Sequence, residues 1–236
     1  MSARPILTWR QPMITDATIL QYLFIILMGY LIGSIPTAYM IARLHNINIF
    51  DIGSGNMGGT NIARTLGAFW GVLTSVIDIF KGMLAILLAR LILPEQPWAA
   101  TSVAALAVIC GHNWSIFATL LYSAARRSRK FTIRGGKGAA TAFGTMVMVA
   151  PPIISVVMLL MGALLVYKTR YMSLAVLTTF FLASVGVVLM VAQQLLPPEY
   201  LIYVAGILIL LPLRFRENIQ RLISGTERRV GDRVQA

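Results

Sequence analysis

The length, composition and charge of this chain indicate a membrane protein. Its 236 residues are 58% hydrophobic and only 12% charged, and the net charge is +12. A soluble domain is about a quarter charged, so a soluble globular protein and a disordered chain are both excluded. The positive charge is better explained by cytoplasmic loops beside membrane helices than by nucleic-acid binding. The one cysteine, Cys110, excludes an intramolecular disulfide and a cysteine-based zinc site.

Six apolar windows are long enough, or nearly so, to cross the hydrocarbon layer as helices, which takes about 20 residues. They are residues 19–42, 68–93, 98–121, 139–166, 172–194 and 199–213. The first window is too long for a cleaved signal peptide and predicts a permanent span behind an external tail, residues 1–18. The windows predict an all-α polytopic membrane protein that forms a single domain over residues 1–236.

Two basic segments set the predicted orientation. The loop 122–138 contains six Lys and Arg and no acid, and the tail 214–236 contains six more arginines. By the positive-inside rule both segments are cytoplasmic. The chain must then cross the membrane an even number of times between them, although three apolar windows lie there.

Pro151-Pro152 resolves this parity problem, because a proline pair breaks the helical hydrogen-bond ladder within the window 139–166. If this window dips into the membrane and returns, Lys168 and Arg170 also become cytoplasmic. We therefore predict about seven membrane helices, with one short or re-entrant pair around the prolines and a cytoplasmic C-terminal tail. The alternative is a plain kinked span and a different topology.

Residues 51–64 are richer in Gly, Ser, Asn and Thr than a simple linker needs to be. The glycines allow successive amides to turn toward an anion, and Thr60 or Asn61 is predicted to cap a helix starting near Ile62. Arg64 offers a fork for phosphate oxygens. A flexible loop between two spans would have a similar composition, but hydroxyls, amides and an arginine together favour a phosphate site. Its candidate ligands are Ser54, Gly55, Asn56, Gly58, Thr60, Asn61 and Arg64.

A second glycine-rich loop, residues 135–138 (GGKG), is not a Walker A loop, since Lys137 is followed by Gly138 and no strand precedes it. Gly136 and Gly138 would let a ligand approach the backbone closely, and Lys137 would supply a point charge for phosphate. The alternative is an interfacial lysine beside a helix start. For the basic run 122–134, anchoring to anionic lipid is the better interpretation.

Other polar residues have simpler interpretations. Asp78 and Lys81 lie three apart on one predicted membrane helix and are expected to neutralise each other. His112 is expected to be a hydrogen-bonded packing residue, and with His45 as the other histidine the chain offers no evident metal site. Residues 214–227 are predicted to form a short amphipathic helix that lies along the membrane interface.

Together these segments resemble the bacterial membrane glycerol-3-phosphate acyltransferases that use acyl phosphate, the PlsY family. The resemblance covers roughly residues 22–228 and keeps the family order of motifs. The matching pieces are YLIGSIP (30–36), GSGNMGGTNIAR (53–64), DIFKG (78–82), GHNW (111–114), GGKGAAT (135–141), YMSLA (171–175) and RENIQRLISGTE (216–227). The resemblance implies seven membrane helices, an external N-terminus and three motifs that face the cytoplasm.

The reaction implied by the resemblance is acyl transfer from acyl phosphate to the 1-hydroxyl of glycerol 3-phosphate at the cell membrane, giving lysophosphatidic acid. Since an acyl phosphate is an activated mixed anhydride, no nucleophilic side chain, metal or cofactor is expected. The substrate's own phosphate is expected to accept the hydroxyl proton. Expected partners are both substrates, membrane lipids and the enzyme that produces acyl phosphate. The polar ligands implied by motif position are Ser54, Thr60, Arg64, Lys137 and Asn218.

The chain departs from the family pattern at Phe215, where the family usually has a histidine three residues before the asparagine of the third motif. A phenylalanine cannot hydrogen-bond a polar substrate, so we expect weaker use of glycerol 3-phosphate. A basic insertion near residues 119–131 is a further departure. Two alternatives therefore stay beside the active enzyme. One is a catalytically weakened paralogue that binds acyl phosphate or lipid as a regulatory or partner protein, and the other is a transporter or channel.

Overall fold

The computed structural model describes residues 15–126 and 132–231, and the regular structure of these residues is helical. A short 3-10 turn at Ile49–Asp51 lies between the second and third helices, and the first helix begins inside the predicted tail 1–18. The predicted all-α class is confirmed. The helices are α1 (Asp16–Ser34), α2 (Thr37–Leu44), α3 (Gly59–Leu66), α4 (Ala68–Ile92), α5 (Pro97–Asn113), α6 (Ile116–Arg126), α7 (Ala139–Val149), α8 (Pro152–Thr169), α9 (Met172–Ala192) and α10 (Tyr200–Ile223).

Within the described ranges, four helical stretches are long and apolar enough to cross a membrane. They are Asp16–Leu44, which joins α1 and α2, together with α4, α8 and α9, whereas α7 is apolar but shorter. Large apolar side chains such as Leu20 and Leu160 point outward from these helices, each 67% exposed. A surface of this kind is stable against lipid and unstable against water. The total of about seven spans stays a prediction.

Three of the predicted apolar windows contain a break. They are 19–42 at Pro36, 98–121 at Trp114 and 139–166 at Pro151. The break at Pro151 was expected, because a proline lacks the N–H that continues the ladder. The break at Trp114 was not, since it depends on the buried Ser115, whose Oγ accepts a hydrogen bond from the Ala118 N–H (3.0 Å) and starts α6.

The last helix extends further than the sequence predicts. α10 continues through Pro212 to Ile223, so the prediction of a separate interfacial helix over 214–227 is wrong. A proline is tolerated inside a membrane helix when neighbouring groups satisfy the freed backbone. Phe215 and Asn218 are both buried on α10, and their contacts with the bundle hold this part of the chain in the helix.

α7 and α8 form a hairpin. The residue after α8 bonds the C-terminal tail directly, and a residue that precedes α7 is linked to the same tail through Asn218. Arg170, which follows α8, donates from Nη2 to the Val230 carbonyl (2.8 Å) and accepts from the Val230 N–H (2.7 Å). Lys137, which precedes α7, donates to Asn218, and Asn218 donates to Glu227 of the tail (2.5 Å). The chain therefore turns back at the proline pair, as predicted. The side of the membrane on which this end lies stays a prediction.

α5 packs closely against α1 through small residues. A Cβ on Gly33 would lie 2.0 Å from the Val108 carbonyl oxygen, and a Cβ on Gly111 would lie 2.0 Å from the Tyr30 carbonyl oxygen. Helices in lipid associate through such close backbone approach. The packing fixes the C-terminal end of α5, where His112 lies beside the second glycine-rich loop.

A separate apolar cluster supports the first glycine-rich loop, residues 52–58. It combines side chains from α2, the 3-10 turn, α3 and α6, so the loop lies on a packed base. The buried members are Ala38, Ile41, Ala42, Ile49, Phe50, Met57, Ile62 and Ala118.

Candidate active site

A cavity of about 390 Å³ brings together side chains from all three predicted polar segments. The predicted site residues that line it are Ser54, Asn56, Gly58, Thr60, Asn61, Arg64, Lys137, Gly138 and Asn218. Gly55 and Gly136 were also predicted, but neither lines the cavity. Apolar side chains complete the wall, and they are Ile79, Ala139, Ala140, Phe143, Leu159, Met172 and Val176. The cavity can therefore accommodate both an anionic group and an acyl chain.

Two glycines and one asparagine determine the shape of the first loop. Gly53 and Gly55 both have φ of +64°, in the left-handed region that favours glycine. Asn61 reaches back into the loop, where its Oδ1 accepts from the Ser54 N–H (3.1 Å) and its Nδ2 donates to the Ile52 carbonyl (3.1 Å). A Cβ on Gly53 would lie 2.2 Å from that Oδ1. Asn61 therefore positions the loop, although it was predicted to contact a ligand.

The amides of this loop do not form the predicted anion nest. The N–H groups of Ser54, Gly55 and Gly58 donate to acceptors within the loop or to the Asn61 side chain. Donors that are already bonded in this way are not available to an anion. Ser54 lines the cavity, and its Oγ accepts from the Asn56 N–H (3.4 Å), which leaves its O–H as a donor for a phosphate.

The helix after the loop starts earlier than predicted. α3 begins at Gly59 with Gly58 as its N-cap, so the predicted cap by Thr60 or Asn61 is wrong. The reason is that the Asn61 side chain is used inside the loop. In the described part of the chain, the N–H groups of Gly59 and Thr60 have no backbone partner, and both residues line the cavity. The first turn of α3 thus replaces the nest as a source of amide donors.

The glycines of the second loop are required by packing against the end of α5. A Cβ on Gly136 would lie 2.0 Å from His112 Nε2, and a Cβ on Gly135 would lie 2.2 Å from a backbone oxygen of α5. The Gly136 N–H donates to the His112 carbonyl (2.9 Å), and its own carbonyl accepts from Arg214 Nη2 (2.7 Å). Gly136 is therefore structural, and the geometry does not support its predicted approach to a ligand. The loop brings Lys137 to the cavity.

Lys137 belongs to a chain of hydrogen bonds that joins three parts of the fold. Its Nζ donates to Asn218 Oδ1 on α10, and Asn218 Nδ2 donates to Glu227 Oε1 (2.5 Å). Glu227 also accepts from Ser173 Oγ (2.8 Å) and from Arg221 Nε (2.9 Å). Asn218 retains one N–H and one acceptor position for a ligand. Both Lys137 and Asn218 are therefore held in place before any substrate binds.

Ser173 and Glu227 were given no role in the sequence analysis. Glu227 had a detectable signal, as an acid inside a basic tail, whereas Ser173 had none beyond its place in the family motif. Burial alone would raise the pKa of Glu227, but hydrogen bonds from Asn218, Arg221 and Ser173 outweigh burial, and the pKa is lowered. Glu227 is therefore a carboxylate that orients its neighbours.

The pKa of Lys137 predicts a pH-dependent affinity for phosphate substrates. This lysine lies in a loop outside the spanning helices, where burial, assisted by the charge of Arg221, lowers its pKa from 10.5 to about 8. A phosphate ester is mostly a dianion above about pH 7. Because a neutral amine no longer attracts a dianion, KM for a phosphate substrate should rise as the pH passes about 8.

Initial rates of wild type and Lys137→Arg, measured between about pH 6.5 and 9.5, test this expectation. The guanidinium keeps its charge over the whole range, so the rise in KM should disappear in the variant. A rise of equal size in both proteins would exclude Lys137 as its source.

The predicted pair inside α4 is present. Lys81 Nζ lies 2.7 Å from Asp78 Oδ1, and both side chains are buried. Thr37 Oγ1 donates to the same oxygen (2.9 Å), and His112 Nδ1 lies 3.8 Å from it. The mutual neutralisation of Asp78 and Lys81 is confirmed, and His112 is buried as expected for a packing residue. Among the residues described, no three His, Cys, Asp or Glu side chains cluster as metal ligands do.

Only part of the basic run 122–134 can be compared with its predicted role in lipid anchoring, since residues 127–131 lie outside the described residues. Arg134 is not a lipid anchor. Its guanidinium carbon lies 3.9 Å from the centroid of the Tyr122 ring, and its backbone N–H donates to Thr119 Oγ1 (2.9 Å). Arg134 thus packs the second loop against α6.

Comparison with known proteins identifies the family. A family model described as glycerol-3-phosphate acyltransferase matches residues 23–225. The chain belongs to this family. Glycerol-3-phosphate acyltransferase 1 of Deinococcus radiodurans is 36% identical over 212 residues, which cover 90% of this chain and 97% of the relative. The glycerol-3-phosphate acyltransferase of Aquifex aeolicus is 35% identical over 207 residues, with coverages of 88% and 98%.

Solved structures agree with this membership. PlsY (YgiH), described as an integral membrane glycerol 3-phosphate acyltransferase, matches in its glycerol 3-phosphate form with a TM-score of 0.74 and 33% identity, covering 89% of this chain and 96% of that one. Its lysophosphatidic acid form matches with a TM-score of 0.72 and 33% identity, covering 88% and 94%. The predicted resemblance to the PlsY family and the predicted class of integral membrane protein are both confirmed.

In this acyltransferase, Phe215 occupies a wall of the cavity and is buried, 5% exposed. Lys137 Nζ lies 5.2 Å from the centroid of its ring, within the range of a cation–π contact. Asn218 lies three residues further along α10, on the same helical face. Phe215 therefore supports Lys137 by its ring, and it offers no hydrogen bond to a ligand.

Proposed function

We propose that this acyltransferase moves a fatty acyl group from acyl phosphate to the 1-hydroxyl of glycerol 3-phosphate, forming lysophosphatidic acid and inorganic phosphate. The observation that carries the proposal is a single cavity, in a member of this family, where Arg64 and Lys137 lie near an apolar wall. Both substrates carry a phosphate and one carries an acyl chain. A cavity of mixed character suits that pair.

The proposed chemistry requires positioning more than a reactive side chain. The acceptor oxygen forms a bond to the acyl carbonyl carbon, and the bond from that carbon to the phosphate oxygen breaks. The hydroxyl proton passes to a phosphate oxygen of the substrates, so no protein base takes part. Holding both anions in one cavity supplies much of the acceleration, and fixed donors stabilise the negative charge that develops on oxygen.

We assign the phosphate contacts to side chains that line the cavity. Arg64, one turn or more into α3, and Lys137 supply positive charge for the two phosphates. The hydroxyls of Ser54 and Thr60 add neutral donors, together with the free amides of the α3 start. Asn218 keeps Lys137 in place and offers its remaining N–H to the acceptor.

The purified protein, incubated with acyl phosphate and labelled glycerol 3-phosphate, tests the proposal. We expect labelled lysophosphatidic acid with acyl phosphate as donor and none with acyl-CoA or acyl-carrier protein, since in both thioesters the acyl carbon is bonded to sulfur and carries no phosphate leaving group. Product from acyl-CoA alone would overturn the proposed donor. The absence of product with every donor would contradict the proposed reaction.

We further propose that the protein is a single domain in the cell membrane, with its N-terminus outside and its cavity facing the cytoplasm. Acyl phosphate would then come from a partner enzyme on the cytoplasmic side, and membrane lipid would surround the apolar helices. The basic residues at the cavity end of the bundle, including Lys168 and Arg170, support this orientation through the positive-inside rule.

Single-cysteine labelling in a Cys110→Ala background tests the orientation. Thr169→Cys lies at the end of α8 and should be protected from a membrane-impermeant thiol reagent added to intact cells. Glu95→Cys, between α4 and α5 at the other end of the bundle, is the matched control and should be labelled. Labelling of position 169 and protection of position 95 would reverse the proposed orientation.

The Phe215→His substitution should improve use of the acceptor. A histidine on the same face as Asn218 would add one hydrogen bond to glycerol 3-phosphate, so its KM should fall about threefold to tenfold. KM for acyl phosphate should change little. Phe215→Leu, which keeps an apolar wall without a ring, is the control and should show no improvement.

The same kinetic comparison distinguishes an active acyltransferase from a weakened paralogue. If wild type makes no product and Phe215→His restores activity, the chain is the weakened paralogue that binds acyl phosphate or lipid. If the histidine lowers activity, Phe215 belongs to an acceptor pocket of different shape. Steady-state rates with each substrate varied in turn distinguish these results.

A further inference from the structure

A second cavity, of about 270 Å³, lies beside the first and shares Asn56 and Lys137 with it. Trp114 and Leu213 contribute to its walls, but its character is set by charge. Arg214 and Arg216 line it together with Lys137, against one carboxylate, Glu217. In contrast to the first cavity, it has no extended apolar wall.

Arg214 is fixed in this cavity by the second glycine-rich loop. Its Nε and Nη2 donate to the Gly136 carbonyl (3.1 and 2.7 Å), and its guanidinium carbon lies 5.5 Å from the centroid of the Trp114 ring. In residues 15–126 and 132–231, no hydrogen-bond partner is found for its Nη1 or for the guanidinium of Arg216. A guanidinium held rigidly with free N–H groups is suited to bind a phosphate.

We propose that this second cavity, defined by Lys137, Arg214 and Arg216, is a phosphate-binding site that adjoins the acyl-transfer cavity and shares Lys137 with it. It would take inorganic phosphate as it leaves, or the phosphate group of glycerol 3-phosphate as it arrives. Both are compact dianions without an acyl chain, which fits a polar cavity of this size. The inference rests on the proposed function for the identity of the phosphate.

Because Lys137 lines both cavities, the second site can receive a phosphate that leaves the first. The reaction releases a dianion beside an apolar wall that includes Phe143 and Leu159, and a dianion cannot leave through lipid. Lys137 can hold a phosphate on either side, so a phosphate can pass from one cavity to the other without losing its cationic partner. Arg216 lines the second cavity and is exposed.

Binding of labelled inorganic phosphate to the purified protein, measured by equilibrium dialysis at low salt without any acyl donor, tests the proposal. Wild type should bind phosphate in two classes of site. Arg216→Gln should weaken one class about twofold to fivefold, the range expected for an exposed charge, and Arg216→Lys should restore most of it. Arg43→Gln, an equal loss of charge at an exposed position of α2 outside both cavities, should change neither class.

Glu217→Gln provides a test in the opposite direction. Removing the one carboxylate of the cavity should tighten the same class of sites, which a damaged fold would not do. Unchanged phosphate binding in both Arg216→Gln and Glu217→Gln would overturn the proposal. Because no donor is present, a protein that fails to make lysophosphatidic acid would still report whether the second site exists.

Kinetics with both substrates distinguishes the two sources of phosphate. If the site serves departing phosphate, Arg216→Gln should raise the inhibition constant of added phosphate and leave KM for glycerol 3-phosphate unchanged. If it serves the arriving acceptor, KM for glycerol 3-phosphate should rise instead. Either result supports a phosphate site, whereas no change in either constant counts against it.

Discussion

Arg64→Ala and Lys137→Ala should each lower kcat/KM by about tenfold to a hundredfold. Each substitution removes a charge that lines the cavity, and a hydrogen bond to a charged group contributes about 1.5–3 kcal/mol. Since about 1.4 kcal/mol corresponds to one factor of ten in rate, this range gives the expected loss. In wild type Lys137 Nζ donates to Asn218 Oδ1, so Lys137→Ala also removes the contact that positions Asn218. The loss of kcat/KM for this variant should therefore include weaker binding of glycerol 3-phosphate.

A matched control separates a formed site from a general effect of positive charge. Arg43→Ala removes an exposed arginine from the last turn of α2, outside the cavity. Its kcat/KM should stay within about twofold of wild type, because an exposed charge in water is strongly screened. Equal losses in all three variants, measured as initial rates at fixed ionic strength, would indicate diffuse electrostatic attraction and would contradict the proposed phosphate contacts.

Features that depend on a few neighbouring residues were predictable from the sequence. Asp78 and Lys81 lie three apart on one apolar helix, and that spacing alone brings their side chains together. The turn at Pro151-Pro152 follows from the chemistry of proline together with the distribution of basic residues. Because the positive-inside rule places the basic residues of these segments on one side of the membrane, the three polar segments could also be expected to meet at one end of the bundle.

Features that depend on contacts between distant segments were not predictable. Composition gave Gly136 and Asn61 the character of ligand residues, but Gly136 packs on His112 and Asn61 holds its own loop. Glu227 lies in a tail that folds back onto α9 and α10, and no local pattern indicates that return. The sequence therefore identified the polar segments and most of the residues that line the cavity, but it did not show that Gly136 and Asn61 serve to pack and hold the loops.

Disruption of the buried Asp78–Lys81 pair in α4 should have the largest effect on stability. Lys81→Met should lower the free energy of unfolding by about 3–5 kcal/mol, since it leaves the Asp78 carboxylate buried without its cation. Thr37 remains as a hydrogen-bond donor to Asp78, but a hydroxyl does not neutralise a charge. The substitution also removes the bond from Lys81 Nζ to the Ile35 carbonyl (3.1 Å), at the break between α1 and α2.

The double variant Asp78→Asn/Lys81→Met isolates the electrostatic part of this loss. It removes the unpaired charge but not the defect at the Ile35 carbonyl, so it should recover most, though not all, of the stability. Lys168→Met, at an exposed position of α8, should change stability by less than about 0.5 kcal/mol. Unfolding in detergent micelles measures all three. If the double variant is no more stable than Lys81→Met, the unpaired carboxylate of Asp78 is tolerated at the cavity wall. The loss of stability would then come from the Ile35 contact, and the ion pair would contribute little.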